Sequence, residues 1–255
     1  MQLGSIYSSE NLTERLQHYE KLRIANQWDP KADIDWSLDA LDDETRKIST
    51  GFALMGNYTE EVGLLIAARL IETIDDLPTR YCLAVQAADE AKHSEVFGRY
   101  TDQWEHRAPE SDYEPEKPLA LLNELLERKN PIELFTLHTM LEGLAMDQFG
   151  YLSHVFDGDA LGQIYRFIRA DEARHVAMGM DFLKSALPRL ELEEALSILK
   201  TSKADLFSVA QFDDKSFEYM SKLTGSPFSE IREQFLERVD ARFHVLEAQT
   251  RKVYT

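Results

Sequence analysis

The sequence predicts an all-α protein: a four-helix bundle with one crossover connection and additional N- and C-terminal helices. Three observations predict it. No segment shows a convincing two-residue alternation of apolar and polar side chains, whereas long stretches keep helical spacing. Only 11 Gly and 8 Pro interrupt 255 residues, too few for a loop-rich all-β fold. The long helices fall into two hairpins with a longer connection between them, the pattern of a bundle with a crossover.

In chain order, Asn11 to Gln27 reads as an amphipathic helix with Leu12, Leu16, Tyr19 and Leu22 on one stripe, ended by Trp28-Asp29-Pro30. The acidic stretch holding Asp33, Asp35, Asp39, Asp42, Asp43 and Glu44 reads as solvated surface. Thr50 to Asp76 is a helix, apolar on all sides from Val62 to Ala68 and therefore expected to be buried rather than half exposed. Pro78 suits the first turn of the next helix, which runs to about His106. Residues 107–117 are a loop and Pro118 to Lys129 a short helix. Asn130-Pro131 is a cap and first-turn pair that opens a helix through Phe135, Leu141 and Phe149 to about Phe156. Asp157-Gly158-Asp159 is a turn, and Leu161, Ile164, Tyr165 and Ile168 carry a helix to near Pro188. Two or three helices fill 191–250, with Thr224-Gly225-Ser226-Pro227 as their clear break. The expected organisation is a single domain over 1–255, with a bundle at about 50–187 and added helices at about 191–250.

Charge narrows the function. With 28 Lys+Arg against 46 Asp+Glu the formal net charge is −18, which repels phosphate backbones and argues against general nucleic-acid binding. One cysteine, Cys82, allows no intrachain disulfide. The N-terminus has no apolar signal-peptide core, and no run approaches the roughly 18 apolar residues of a membrane span. The expectation is a cytoplasmic protein with no membrane partner.

The chemistry-bearing motifs are Asp89-Glu90-Ala91-Lys92-His93 and Asp171-Glu172-Ala173-Arg174-His175. A spacing of three places Glu and His on one helix face, one turn apart, where one metal ion reaches both. A lone Glu-x-x-His is expected about 0.7 times by chance in this composition, but two copies preceded by Asp only about 0.002 times. The copies lie 82 residues apart, and the same offset maps Glu60 onto Glu142. Each of these glutamates has apolar neighbours, Met55 and Leu64 for one, Leu141 and Leu144 for the other, where a lone carboxylate is costly unless paired or metal-bound. Glu61 is the rival to Glu60, and helical periodicity alone does not separate them.

The resulting set is Glu60, Glu90, His93, Glu142, Glu172 and His175: four carboxylates to neutralise two divalent cations and two imidazoles to complete their coordination. Such hard donors suit iron or manganese better than copper or a zinc thiolate site. A metal-bound histidine usually gives its other N–H to a carboxylate, so Asp89 is expected to serve His175 and Asp171 to serve His93, with Lys92 and Arg174 neutralising the aspartates. The alternative for these charges is ordinary exposed pairing along each helix.

On these motifs the chain resembles the ferritin-like di-iron carboxylate superfamily over roughly 50–187. Its nearest likeness is to ribonucleotide reductase small subunits and bacterial multicomponent monooxygenase hydroxylases. The resemblance implies a ferritin-like fold and a dinuclear centre of two Fe ions, with Mn or a mixed Mn/Fe pair as alternatives. It implies O2-dependent oxidation of a small organic molecule at a C–H bond or an amine. The partners it implies are the small-molecule substrate, O2 and an external electron donor of the ferredoxin or flavin reductase type, in a homodimer or a monomer. Glu60 or Glu142 is expected to take a catalytic part by shifting its binding mode as oxygen binds.

The departures from the pattern are specific. Phe97 stands where reductase subunits usually place the radical tyrosine, four residues after the first motif histidine. Met146 stands where monooxygenase hydroxylases place a threonine. Ile168 replaces the added histidine of amine N-oxygenases, while His138 precedes Glu142 by one turn, either as an extra ligand or substrate contact or as a buried hydrogen-bonded histidine. Leu64, Phe97, Phe135, Thr139, Met146 and Gly179 are expected to point to one region, as an apolar substrate pocket or as plain bundle packing. The alternative functions are a ferroxidase or metal-storage protein and a radical-generating reductase-like subunit.

Overall fold

The computed structural model of the protein describes residues 27–104, 130–212 and 214–254, with scattered positions between 13 and 24 and between 123 and 128. Helix α1 spans Asp43–Thr73, α2 Leu77–Trp104, α3 Pro131–Val155 and α4 Ala160–Ala186. After a short 3-10 turn at Leu187–Arg189 come α5 (Leu192–Phe212), α6 (Asp214–Thr224) and α7 (Phe228–Lys252). No strand occurs among the described residues. The expected helix at Asn11 to Gln27, the loop at 107–117 and the short helix at Pro118 to Lys129 lie, apart from scattered positions, outside the described residues.

Helix starts are set by short acidic or amide side chains. Asp42 accepts from the Thr45 N–H at 2.8 Å, and Asp43 and Glu44 occupy the first turn of α1, where the positive end of the helix dipole favours them. Helix α1 thus begins ahead of Thr50, because the last acidic residues of the surface segment serve as its cap and first turn. Asp76 accepts from the Thr79 N–H at 2.9 Å at the head of α2. Asn130 caps α3 ahead of Pro131, and Asp159 caps α4. Between α3 and α4 the chain reverses at Gly158, whose φ of 86° suits a residue without Cβ.

Helices α1 and α2 pack along their length as one hairpin and α3 and α4 as the other; α2 meets α4 and α1 meets α3 across the bundle. Helix α5 lies on α3, and α7 packs on α3, α4 and α5. The expectation that α1 is buried all round from Val62 to Ala68 is corrected: Gly63, Ile66 and Ala67 face inward, but Leu65 is 53% exposed and Ala68 is exposed. Helix α1 packs mainly on α2, with only lesser contacts to α3 and α6, so one stripe of it stays open. No described helix is long and apolar enough to cross a membrane.

One end of the bundle is tied by a buried cation. Arg46 is fully buried; its guanidinium pairs with Asp159 and Asp39 at 2.7 and 2.6 Å, donates to the Tyr100 hydroxyl and lies 4.0 Å from the Trp104 ring centroid. Tyr100 donates to Asp159 at 2.8 Å, so α1, α2 and the head of α4 share one network. Burial, together with the negative charge of Asp159, raises the Tyr100 pKa and keeps the hydroxyl protonated as a donor. Removing Asp159 strands a buried charge. Asp159→Ala is expected to cost about 3–5 kcal/mol in urea unfolding, against a far smaller loss for the partly exposed Asp39→Ala.

Candidate metal centre

Six side chains converge midway along the bundle: Glu60 from α1, Glu90 and His93 from α2, Glu142 from α3, and Glu172 and His175 from α4. All are buried, with Glu142 the most exposed at 7%. Glu61, the sequence rival of Glu60, is exposed. The i, i+3 pairs on α2 and α4 bring Glu and His to one face, and the two hairpins bring those faces together.

The set divides into two clusters that share two residues. Glu60, Glu90, His93 and Glu172 offer ligand atoms within 4.8 Å of one another, and so do Glu90, Glu142, Glu172 and His175. His93 Nδ1 lies 3.2 Å from Glu60 Oε2, 3.4 Å from Glu90 Oε2 and 3.3 Å from Glu172 Oε1. His175 Nδ1 lies 3.2 Å from Glu142 Oε2, 3.4 Å from Glu90 Oε1 and 3.1 Å from Glu172 Oε2. Glu90 and Glu172 therefore each turn one oxygen to each histidine, whereas Glu60 and Glu142 each serve one. Each cluster is a ring of carboxylate oxygens and one imidazole nitrogen, a hard donor set that fits a divalent iron or manganese ion. The hydrogen bonds of His93 go to Glu60 and Asp171, which leaves Glu172 Oε1 buried without one, as an oxygen awaiting a cation would be.

Behind the histidines the aspartates pair crosswise. His93 Nε2 is 3.0 Å from Asp171 and His175 Nε2 is 3.5 Å from Asp89. Lys92 reaches Asp89 at 3.2 Å and Asp171 at 3.0 Å, and Arg174 donates to Asp171 at 2.6 Å and Asp89 at 3.0 Å. These charges bridge the two helices and are not exposed pairs. Trp28 also donates to Asp171, at 2.8 Å, with Lys92 Nζ 4.5 Å from its ring centroid. The sequence shows Trp28 only as a helix terminator; a contact across 143 positions leaves no local signal.

His138 stands beside the centre. Its ligating atoms belong to neither cluster; Nδ1 is 3.2 Å from Glu142 Oε1 and Nε2 is 2.8 Å from Gln86 Nε2. It is thus the buried hydrogen-bonded histidine of the two sequence alternatives. Of the residues expected to line an apolar pocket, Phe97, Phe135, Thr139 and Gly179 are packed against neighbouring side chains. Phe97 covers Gly56 and meets Tyr165 in a tilted contact at 5.6 Å, Phe135 meets Phe182 at 4.5 Å, and Thr139 fills the space beside Gly179, where a Cβ would lie 2.2 Å from its Oγ1. Leu64 and Met146 are only half buried. A crevice of about 30 Å³ reaches His175 from outside, between Arg23, Tyr81, Cys82, Val85, Arg174 and Met178.

Burying this much acid reshapes its proton affinity. Burial, with the neighbouring Glu90 and Glu172, raises the Glu60 pKa well above the ordinary value against the pull of His93. Burial and the charges of Glu142 and Glu90 push Glu172 up to about 8. Burial alone would lower His93 and His175, but the surrounding carboxylates outweigh it and raise both well above 6.5. Glu142 moves the other way: burial opposes ionisation, yet the adjacent His138 and the bonds to Glu172 and His175 lower its pKa. Burial likewise opposes ionisation of Asp171, and His93, Lys92 and Arg174 outweigh it.

The stability consequence has a definite sign. Glu60, Glu172, His93 and His175 hold protons more tightly folded than unfolded, so their contribution is present below their unfolded values of 4.5 and 6.5 and is lost as pH rises towards about 8. Glu142 and Asp171 have the opposite sign and act only at lower pH. The chelator-treated protein is therefore expected to lose thermal stability steadily between about pH 5 and pH 8, measured as Tm by circular dichroism. A Tm that rises over this range would contradict the protonation pattern.

No protein-family profile matches the sequence, and no curated protein does. Solved structures do match. A protein from Bacillus halodurans provisionally assigned as a class I ribonucleotide reductase superposes with a TM-score of 0.72 at 16% identity, over 92% of this chain and 92% of that one. A point variant of an R2-like ligand-binding oxidase with an aerobically reconstituted Mn/Fe cofactor gives 0.64 at 19% identity, over 92% of each chain. An R2-like ligand-binding oxidase without metal cofactor gives 0.61 at 16% identity, over 96% of this chain and 98% of the other. At such identities the likeness establishes architecture: the chain has the ferritin-like helical bundle shared by reductase-type and R2-like oxidase proteins.

Proposed function

We propose that Glu60, Glu90, His93, Glu142, Glu172 and His175 hold two iron or manganese ions and that the protein is an O2-dependent oxidoreductase acting on a small organic molecule. The single observation that carries this reading is the pair of four-residue donor clusters joined through Glu90 and Glu172. The Mn/Fe cofactor of a structurally similar oxidase supports the choice of metals. A bound metal pair would supply Lewis acidity and a redox centre for dioxygen.

The chain's own residues prepare the site. Asp171 and Asp89 accept the Nε2–H of His93 and His175, which fixes the tautomer and turns both Nδ1 atoms to the carboxylates. Lys92, Arg174 and Trp28 hold those aspartates ionised and in place. Glu90 and Glu172 each turn one oxygen to each histidine and would help hold both ions, whereas Glu60 and Glu142 each face one histidine and would help hold one ion each. Phe97, Phe135 and Thr139 exclude water from the bundle side, while the crevice at His175 has room for a molecule the size of water or dioxygen. Phe97 in place of a tyrosine supports substrate oxidation over a tyrosyl-radical role. Electrons come from an external ferredoxin or flavin reductase.

The test combines metal counting with oxygen uptake. Protein loaded anaerobically with Fe(II), Mn(II) or both is expected to retain two ions per chain and, given a reductant, to consume O2 faster with an organic substrate from an amine and alkyl-acid panel. Glu142→Ala and His175→Ala should each lose one ion and lower uptake more than about 100-fold, while the exposed Glu61→Ala retains both properties. Uptake that tracks added iron and ignores every organic compound would instead mark a ferroxidase.

A further inference from the structure

The two halves of the centre are related by the 82-residue repeat, and the repeat is faithful for every carboxylate and imidazole in the clusters. One helical turn away it breaks. His138 corresponds to Gly56, Gln86 to Ile168, and Gly179 to Phe97. Beside Glu142 there is consequently a hydrogen-bonding pair, and beside Glu60 an apolar pair. A Cβ at Gly56 would lie 2.7 Å from the Phe97 ring, so the ring occupies the space that the His138 side chain uses in the other half.

The hydrogen bonds of that pair follow from its chemistry. Gln86 Nε2 donates to Glu90 Oε1 at 3.1 Å, because the carboxylate oxygen only accepts. The same amide nitrogen lies 2.8 Å from His138 Nε2, which joins the two side chains. On the other side of the ring, His138 Nδ1 lies 3.2 Å from Glu142 Oε1 as an ion-pair contact. Gln86 and His138 thus form a clamp on two oxygens, one held by a hydrogen bond and the other by an ion-pair contact: Glu90 Oε1, which faces His175, and the Glu142 oxygen turned away from His175.

The matching oxygen in the other half is differently placed. By the repeat, the counterpart of Glu90 Oε1 is Glu172 Oε1, which faces His93. Ile168 stands where a glutamine would reach it, fully buried and unable to donate, and Glu172 Oε1 is left without a hydrogen bond. Glu60 likewise has no partner equivalent to His138.

Resting on the metal-centre reading above, we propose that Gln86 and His138 are positioning residues that make the two ion positions unequal. The position of Glu142 and His175 is preorganised by the clamp and binds the first ion more tightly. The position of Glu60 and His93 keeps unclamped carboxylates and binds the second ion more weakly. Hydrogen-bond partners of ligating carboxylates typically change metal affinity by about 10–100-fold, enough to separate two otherwise similar positions.

Calorimetric titration of the metal-free full chain with Mn(II) tests this. Two unequal steps are expected. Glu142→Ala should remove the tighter and Glu60→Ala the weaker. Gln86→Met and His138→Leu should each weaken the tighter step about 10-fold and leave the weaker within about twofold, with His138→Gln, which retains an N–H donor, recovering part of the loss. A merely structural role would move both steps together and lower Tm, which is followed in parallel. Equal steps in the unmodified chain, removal of the tighter step by Glu60→Ala, or variants that shift both steps alike or neither would overturn the clamp while leaving two bound ions, and so the metal centre, intact. Absence of any Mn(II) or Fe(II) binding would overturn both.

Discussion

Four carboxylates buried inside an apolar bundle are the constraint on which the rest of the structure depends. Isolated charges in such a place cost several kcal/mol each, so the bundle must supply compensating charge or admit cations. The fold does so in layers. The inner layer is two imidazoles, the next is Asp89 and Asp171, and beyond them Lys92 and Arg174 cross between α2 and α4. Each layer orients the one inside it. Without a cation the protons drawn onto Glu60, Glu172 and the histidines take over part of the compensation, and metal binding must displace them.

The added C-terminal helices act on the same constraint from behind. Glu142 sits on α3, whose rotation decides whether that carboxylate faces His175. Helix α7 fixes α3 one turn further on: Arg242 donates to the buried Asp147 at 2.7 Å and Arg238 at 3.2 Å. The Arg242 guanidinium lies directly on Gly143, where a Cβ would stand 2.9 Å from Nε, so the residue next to Glu142 is small because a brace passes over it. At the far end Arg46 and Asp159 pin the start of α4 to α1 and α2.

Much of this was legible in the sequence because it is written in short spacings. The Glu-x-x-His pairs, their preceding aspartates and the offset that relates Glu60 to Glu142 are properties of individual helices and of one duplication, and the structure places those residues together. The crosswise pairing of Asp89 with His175 and Asp171 with His93 follows once the motif helices are antiparallel. What the sequence did not reveal depends on contacts between distant segments. Trp28 reaches Asp171 from a segment with no periodic signal. The exposed stripe at Leu65 depends on how few helices cover α1, which composition does not encode. Gln86 lies one turn before Glu90, at a visible spacing, but its importance needs His138 beside it, and those two are 52 positions apart.

The pattern of divergence within the repeat argues that the asymmetry is built in and is not drift. Gly56 lies against the Phe97 ring in one half, whereas in the other half the corresponding positions are His138 and Gly179, with Thr139 rather than the imidazole against the glycine. A core under packing constraint alone tolerates apolar swaps of similar volume, and a second aromatic residue at position 138 would satisfy it. Burying an imidazole and an amide instead is costly for every polar atom left without a partner; Gln86 Nε2 is bonded to Glu90 and His138, whereas Gln86 Oε1 has no hydrogen bond. The half that carries this extra requirement is the one whose glutamate has its pKa lowered, whereas the carboxylate next to the apolar pair has its pKa raised. The same six side chains are therefore held in two electrostatically different settings, and in only one of them do an amide and an imidazole from outside the six touch the carboxylate oxygens.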